Sequence, residues 1–142
     1  SDGHQKIEMY KRFRGIETLK DVDELKEEIT DRFGDYPAEV EALFKVAELK
    51  VYSITAGVES IKMAKQDVTI LLTEDGSSRI DGQKVFKLSS QYRNAVGLGM
   101  EGNKLKMVVH TRGMKNDRWF EITFEMIKGL HDSQKEQENT VS

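Results

Sequence analysis

Residues 57–72 read GVESIKMAKQDVTILL, and the period of the apolar positions changes inside this stretch. Before it, Val40, Leu43, Phe44, Ala47, Val51 and Ile54 recur at helical spacing and predict a long amphipathic helix that stops at Gly57. Within it, Ile61, Met63 and Lys65, then Val68, Ile70 and Leu72, alternate with polar neighbours. That alternation predicts two strands of a hairpin turning near Gln66-Asp67. Helical spacing on one side of Gly57 and period two on the other make the fold class α+β, a mixed α/β domain.

Towards the N-terminus, Ile7, Tyr10 and Phe13 place a first helix from His4 to Arg14, ending near Gly15, with its apolar face buried. Asp21 reads as the N-cap of a second helix, with Glu24 completing a capping box. Val22, Leu25, Ile29 and Phe33 form its core face, and Gly34 is placed to end it in the αL conformation. Pro37 suits the first turn of the third helix, where a missing N–H costs nothing. Towards the C-terminus, Glu74-Asp75-Gly76 reads as a turn. Val85, Phe86, Leu88 and Tyr92 predict a short helix. Residues 95–100 and 105–111 then form a second strand pair around Glu101-Gly102-Asn103, and Asp117 caps a last helix carrying Trp119, Phe120, Thr123, Phe124 and Ile127.

The expected architecture is three N-terminal helices, two β-hairpins separated by a helix, and a C-terminal helix. A single domain is expected over residues 1–130, with the polar stretch 131–142 as a disordered tail. Absence of cysteine removes disulfides, thiolate metal sites and thiol nucleophiles, and fits a cytoplasmic setting. No apolar run reaches the length needed to cross a bilayer. The chain opens on Ser1 rather than Met, so a segment of a larger protein is expected.

Catalytic chemistry finds little footing. Gly97 to Gly102 matches G-x-G-x-x-G, but the following Lys104-Leu105-Lys106-Met107-Val108-Val109 alternates as a strand, and the dinucleotide fingerprint needs a helix there. No phosphate-binding G-x-x-x-x-G-K-[ST] occurs. His4, His110 and His131 are scattered, and no serine has a nucleophile-elbow setting. No catalytic residue, metal site or cofactor is therefore expected within this domain.

Charge is unevenly spread. Asp21 to Glu48 holds ten acids against Lys26, Arg32 and Lys45, whereas Gly82 to Arg118 holds eight cations against Glu101 and Asp117. Glu24, Glu28 and Asp31, at spacings of four and three, line one side of the second helix, with Arg32 beside them. A stripe of this kind can be a solvated face or a surface for arginines of a partner protein. An alternative is a nucleic-acid-binding module using the basic first helix (Lys6, Lys11, Arg12, Arg14, with Lys20 following) and the basic C-terminal half.

One family is similar to these residues. Lys6 to Phe13, Glu24-Leu25, Glu27 to Pro37 and Val40 to Ala47 resemble the C-terminal domain of bacterial transcription-repair coupling factor, with Asp31-Arg32-Phe33-Gly34 and Pro37 as the most specific signature. The resemblance is strong over residues 5–60 and extends to the remainder in order of elements. It implies a non-catalytic regulatory domain of an ATP-driven DNA translocase, whose motor would hold ATP and magnesium upstream and make the contact with DNA. It also implies that the domain packs on a UvrB-like N-terminal module of the same parent chain. There it would mask the surface that UvrA binds until RNA polymerase is engaged, with Glu28 and Asp31 as contacting acids.

Overall fold

Thr18, not Asp21, starts the second helix. Its hydroxyl accepts from the Asp21 N–H at 3.1 Å, while the Asp21 carboxylate accepts from the backbone N–H groups of Glu17 (3.0 Å) and Thr18 (3.1 Å). The capping box predicted at Asp21 and Glu24 therefore lies three residues earlier, because Asp21 serves as its acidic third member. A computed structural model of the chain describes residues 2–141, with side chains described for residues 3–134. Helices α1 (Asp2–Arg14), α2 (Leu19–Phe33) and α3 (Ala38–Ala56) come first. The hairpin of β1 (Val58–Met63) and β2 (Asp67–Leu72) follows. Then come α4 (Glu74–Ser78), α5 (Gly82–Ser90), the hairpin of β3 (Val96–Glu101) and β4 (Lys104–His110), and α6 (Arg118–Val141).

The chain divides between Val51 and Tyr52, inside α3, into two compact units. The first is helical. Phe13, Ile16, Val22, Leu25, Ile29, Val40, Phe44, Ala47 and Val51 form its core. Phe44 is fully buried, its ring 4.7 Å from Phe13 and 5.4 Å from Tyr36 between centroids. Phe33, Ile7 and Tyr10 depart from the expected core faces and are exposed. The α2 core is complete with Val22, Leu25 and Ile29, one turn before Phe33. Gly34 has the positive φ expected of it (73°), but its ψ of −149° lies outside αL, in a region open essentially to glycine. Pro37 sits immediately before α3, its carbonyl accepting from Val40 and Glu41 N–H at 3.0 and 3.3 Å.

The second unit is a four-stranded antiparallel sheet in the order β1-β2-β4-β3, in contact with α4, α5 and α6. Val68, Ile70 and Leu72 of β2 and Met107 and Val109 of β4 are buried on one face, as strict alternation requires. Ile122, Met126, Ile127 and Leu130 of α6 are buried in the same unit. The first hairpin turns at Ala64 to Asp67, where the Ala64 N–H donates to the Asp67 carbonyl at 2.9 Å. The expected turn at Glu74-Asp75-Gly76 is the short helix α4. Thr73 caps it by accepting from the Gly76 N–H at 2.9 Å, so two helices separate the hairpins. Ile54 and Phe86, assigned to apolar stripes, are exposed.

The last helix outruns the boundary drawn at 130. It continues through Val141, with Ser133 and Gln134 buried, so the first part of the expected tail is packed helix. The side chains of 135–142 lie outside the described residues. The Gln134 amide donates to the carbonyls of Ala56 (3.0 Å) and Gly76 (3.2 Å), and its oxygen accepts from Arg79 Nη1 (3.3 Å).

The capping box carries a pH dependence. The two backbone N–H groups of Glu17 and Thr18 favour the ionised form of Asp21 and hold its carboxyl below the ordinary value. A depressed carboxyl contributes stability that is present above its unfolded-state pKa and is lost as pH falls through the folded one. Acid titration of far-UV ellipticity is expected to show α2 loosening in that window, and Asp21→Asn to remove that component. Thr18→Ala is expected to cost about 1 kcal/mol at neutral pH in urea unfolding.

Candidate functional site

The corner from Gly15 to Asp21 decides what α2 presents, because Ile16 is buried and the Thr18–Asp21 box fixes the first turn. From that corner α1 and α2 run side by side as walls of a groove of about 540 Å³. Met9, Leu25, Ile29 and Phe33 give it an apolar lining, and Lys6, Arg12, Glu28 and Arg32 supply charge. Phe33 is 58% exposed at one end of it.

The structure separates the four residues expected to contact a partner. Glu28 is half-buried and accepts from Arg12 Nη1 across the groove, so its carboxylate already has a partner within this unit. Glu24 is exposed and lies 3.9 Å from Lys20, a pair too solvated to hold it firmly. Asp31 and Arg32 are exposed and make no ion pair among the described residues. Glu28, Arg32 and Phe33 line the groove together, and Asp31 adjoins Arg32 and Phe33 in the last turn.

Two contributors were missed by the sequence reading. Arg12 is sixteen residues from Glu28, and nothing in local spacing links them. Phe33 falls four residues after Ile29, so periodicity alone places it in the core; only the packing shows otherwise. The basic first helix is also less available than its composition suggests, since Arg12 is bonded to Glu28.

The G-x-G-x-x-G glycines lie in β3 and its turn, with Gly102 at φ 60°, and a strand follows them. That arrangement offers no helix N-terminus to a pyrophosphate. Among the described residues no three His, Asp or Glu side chains cluster as metal ligands, and no helix is long and apolar enough to cross a membrane.

The family model of the TRCF domain matches residues 1–83. The transcription-repair-coupling factor of Bacillus subtilis is 50% identical over 135 residues, covering 95% of this chain and 12% of the relative. That of Staphylococcus epidermidis is 32% identical over 128 residues, covering 90% and 11%. The chain thus spans about one-eighth of the length of these relatives. A crystal structure of the C-terminal domain of a transcription-repair coupling factor superposes with a TM-score of 0.74 at 25% identity, covering 98% of this chain and 84% of that one.

Proposed function

The chain belongs to the TRCF domain family, the C-terminal domain of transcription-repair coupling factor, and from that premise we propose that it is a regulatory clamp without catalytic groups of its own. In this reading the first unit docks on a UvrB-like N-terminal module of the same parent and covers the surface that UvrA binds. Engagement of RNA polymerase then releases it. ATP, magnesium and the grip on DNA belong to the parent's translocase motor.

The observation that carries the proposal is the last turn of α2. Asp31 and Arg32 have no ion pair among the described residues, and beside them Phe33 is an exposed aromatic anchor at an apolar groove. A charged rim around an aromatic anchor is what a protein interface uses. Glu28 takes a modified role: its bond to Arg12 aligns the groove, and its remaining oxygen can meet a partner's cation. A contact of this modest size suits a switch, because open and closed forms then differ by little and release is possible.

Glu28→Lys with Asp31→Lys in the intact parent is expected to raise both ATPase and UvrA binding about fivefold or more, the low end of typical coupling free energies. The exchange Arg12→Glu with Glu28→Arg keeps the internal pair and separates loss of the groove from loss of the contact. ATPase and UvrA binding that both stay at the repressed level would reject the clamp. The nucleic-acid reading rests on the basic C-terminal half and on the exposure of Tyr10 near Lys6, Lys11 and Arg14. It is weakened by the bond of Arg12 to Glu28. A titration against duplex DNA at two salt concentrations distinguishes the readings, since phosphate binding falls steeply with salt.

A further inference from the structure

Outside the groove of α1 and α2, the first unit has another unpartnered face, on α3. Glu39, Leu43, Val46 and Lys50 follow one another at spacings of four, three and four, so they form a single stripe along that helix. Ala42 and Ala47 flank the stripe, so the residues bordering it are small. Val46 is 54% exposed in the middle of a 19-residue helix, beside a groove of about 470 Å³ between α1 and α3. Tyr10 and Phe13 of α1 and Leu43 and Ala47 of α3 complete its apolar lining. The charged residues on its walls, Arg14 and Lys50, are both cations. They are exposed and make no ion pair among the described residues, and the same holds for Glu39.

We propose that this stripe pairs with the same stripe of a second copy of the chain, α3 against α3 and antiparallel, about a twofold axis. The spacing reads four, three, four in either direction, so one register satisfies every position. Leu43 faces Val46 of the second copy and Val46 faces its Leu43. One turn outward at each end, Glu39 faces Lys50, and each contact occurs twice. A parallel alignment would instead set Glu39 beside Glu39 and Lys50 beside Lys50, so charge selects the antiparallel form. Glu39 of the second copy also brings an acid to a groove whose own walls carry only cations. A foreign helix could cover the apolar centre, but this one stripe already carries both halves of the charge complement, which is why a second copy is the occupant it fits.

Only two apolar residues of each stripe meet, so association is expected to be weak, with Kd of roughly 100 µM. Sedimentation equilibrium of the chain up to about 1 mM is expected to fit a monomer–dimer equilibrium. Val46→Lys is expected to abolish dimerisation and leave the thermal midpoint of the monomer unchanged, because residue 46 is exposed there. Glu39→Lys and Lys50→Glu, each alone, are expected to weaken association about tenfold, since each sets like charges together at both symmetry-related contacts. Combined, they restore it. The chain has no cysteine, so the register can be read by cross-linking. Chains carrying Glu39→Cys, mixed with chains carrying Lys50→Cys and oxidised with glutathione disulfide, are expected to link to each other and not to their own kind. A monomer at every concentration, an oligomer larger than the dimer, a dimer that survives Val46→Lys, a double charge variant no better than the singles, or linking of like with like would each overturn the proposal.

Discussion

Gly76→Ala is expected to destabilise the second unit by more than about 3 kcal/mol, the upper end for forcing atoms into a packed site. A Cβ at this position would stand 2.7 Å from the Ala56 carbonyl oxygen, 2.8 Å from that of Gly57 and 3.0 Å from Gly57 Cα. All three are backbone atoms, and none can swing aside. Gly57 is constrained in turn, with φ of 78° and a virtual Cβ 2.8 Å from Gly76 Cα. The two glycines let the end of α3 and the start of α4 touch backbone to backbone. Gly129→Ala is the control. Its nearest contact is closer, 2.3 Å, but to Leu88 Cδ2, the terminal methyl of a side chain that can rotate, so a smaller loss is expected. Urea unfolding followed through Trp119, the chain's single tryptophan and part of the same unit, measures both.

Phe44→Ala is the corresponding loss for the helical unit, about 3–5 kcal/mol. The ring is fully buried, contacts Phe13 edge-on, meets Tyr36 at a tilt, and has Lys26 Nζ 5.5 Å from its centroid. Lys26 is held there by Glu48 at 3.4 Å. Truncation therefore opens a cavity between aromatic neighbours and also removes the face over which the lysine sits. Far-UV ellipticity against urea reads the loss, and Phe44→Leu, which restores much of the volume, is expected to recover more than half of it.

What could be read from the sequence follows from the range of each interaction. Val22, Leu25 and Ile29 on α2, and Val68, Ile70 and Leu72 on β2, are legible because one buried face imposes its period on neighbouring residues. Gly34 and Gly102 are legible because positive φ restricts residue type. Glu74-Asp75-Gly76 misleads because its turn-like residues form a helix under the Thr73 cap, with Gly76 chosen for contact with Gly57. For the candidate site, spacing located the acidic side of α2. It could not show that Glu28 bonds Arg12, or that Phe33 lies outside the core. Those facts depend on where α1 runs, and the Gly15–Asp21 corner sets that through a capping box displaced by three residues from the one expected.

Gln134 moves the C-terminal boundary of the second unit. A shorter version cut at residue 130, as polarity alone would advise, would leave the carbonyls of Ala56 and Gly76 and the guanidinium of Arg79 without their shared amide. What passes in the sequence for a dispensable extension is, at its base, a stopper seated in the second unit. Tags, fusions and protease sites belong beyond it.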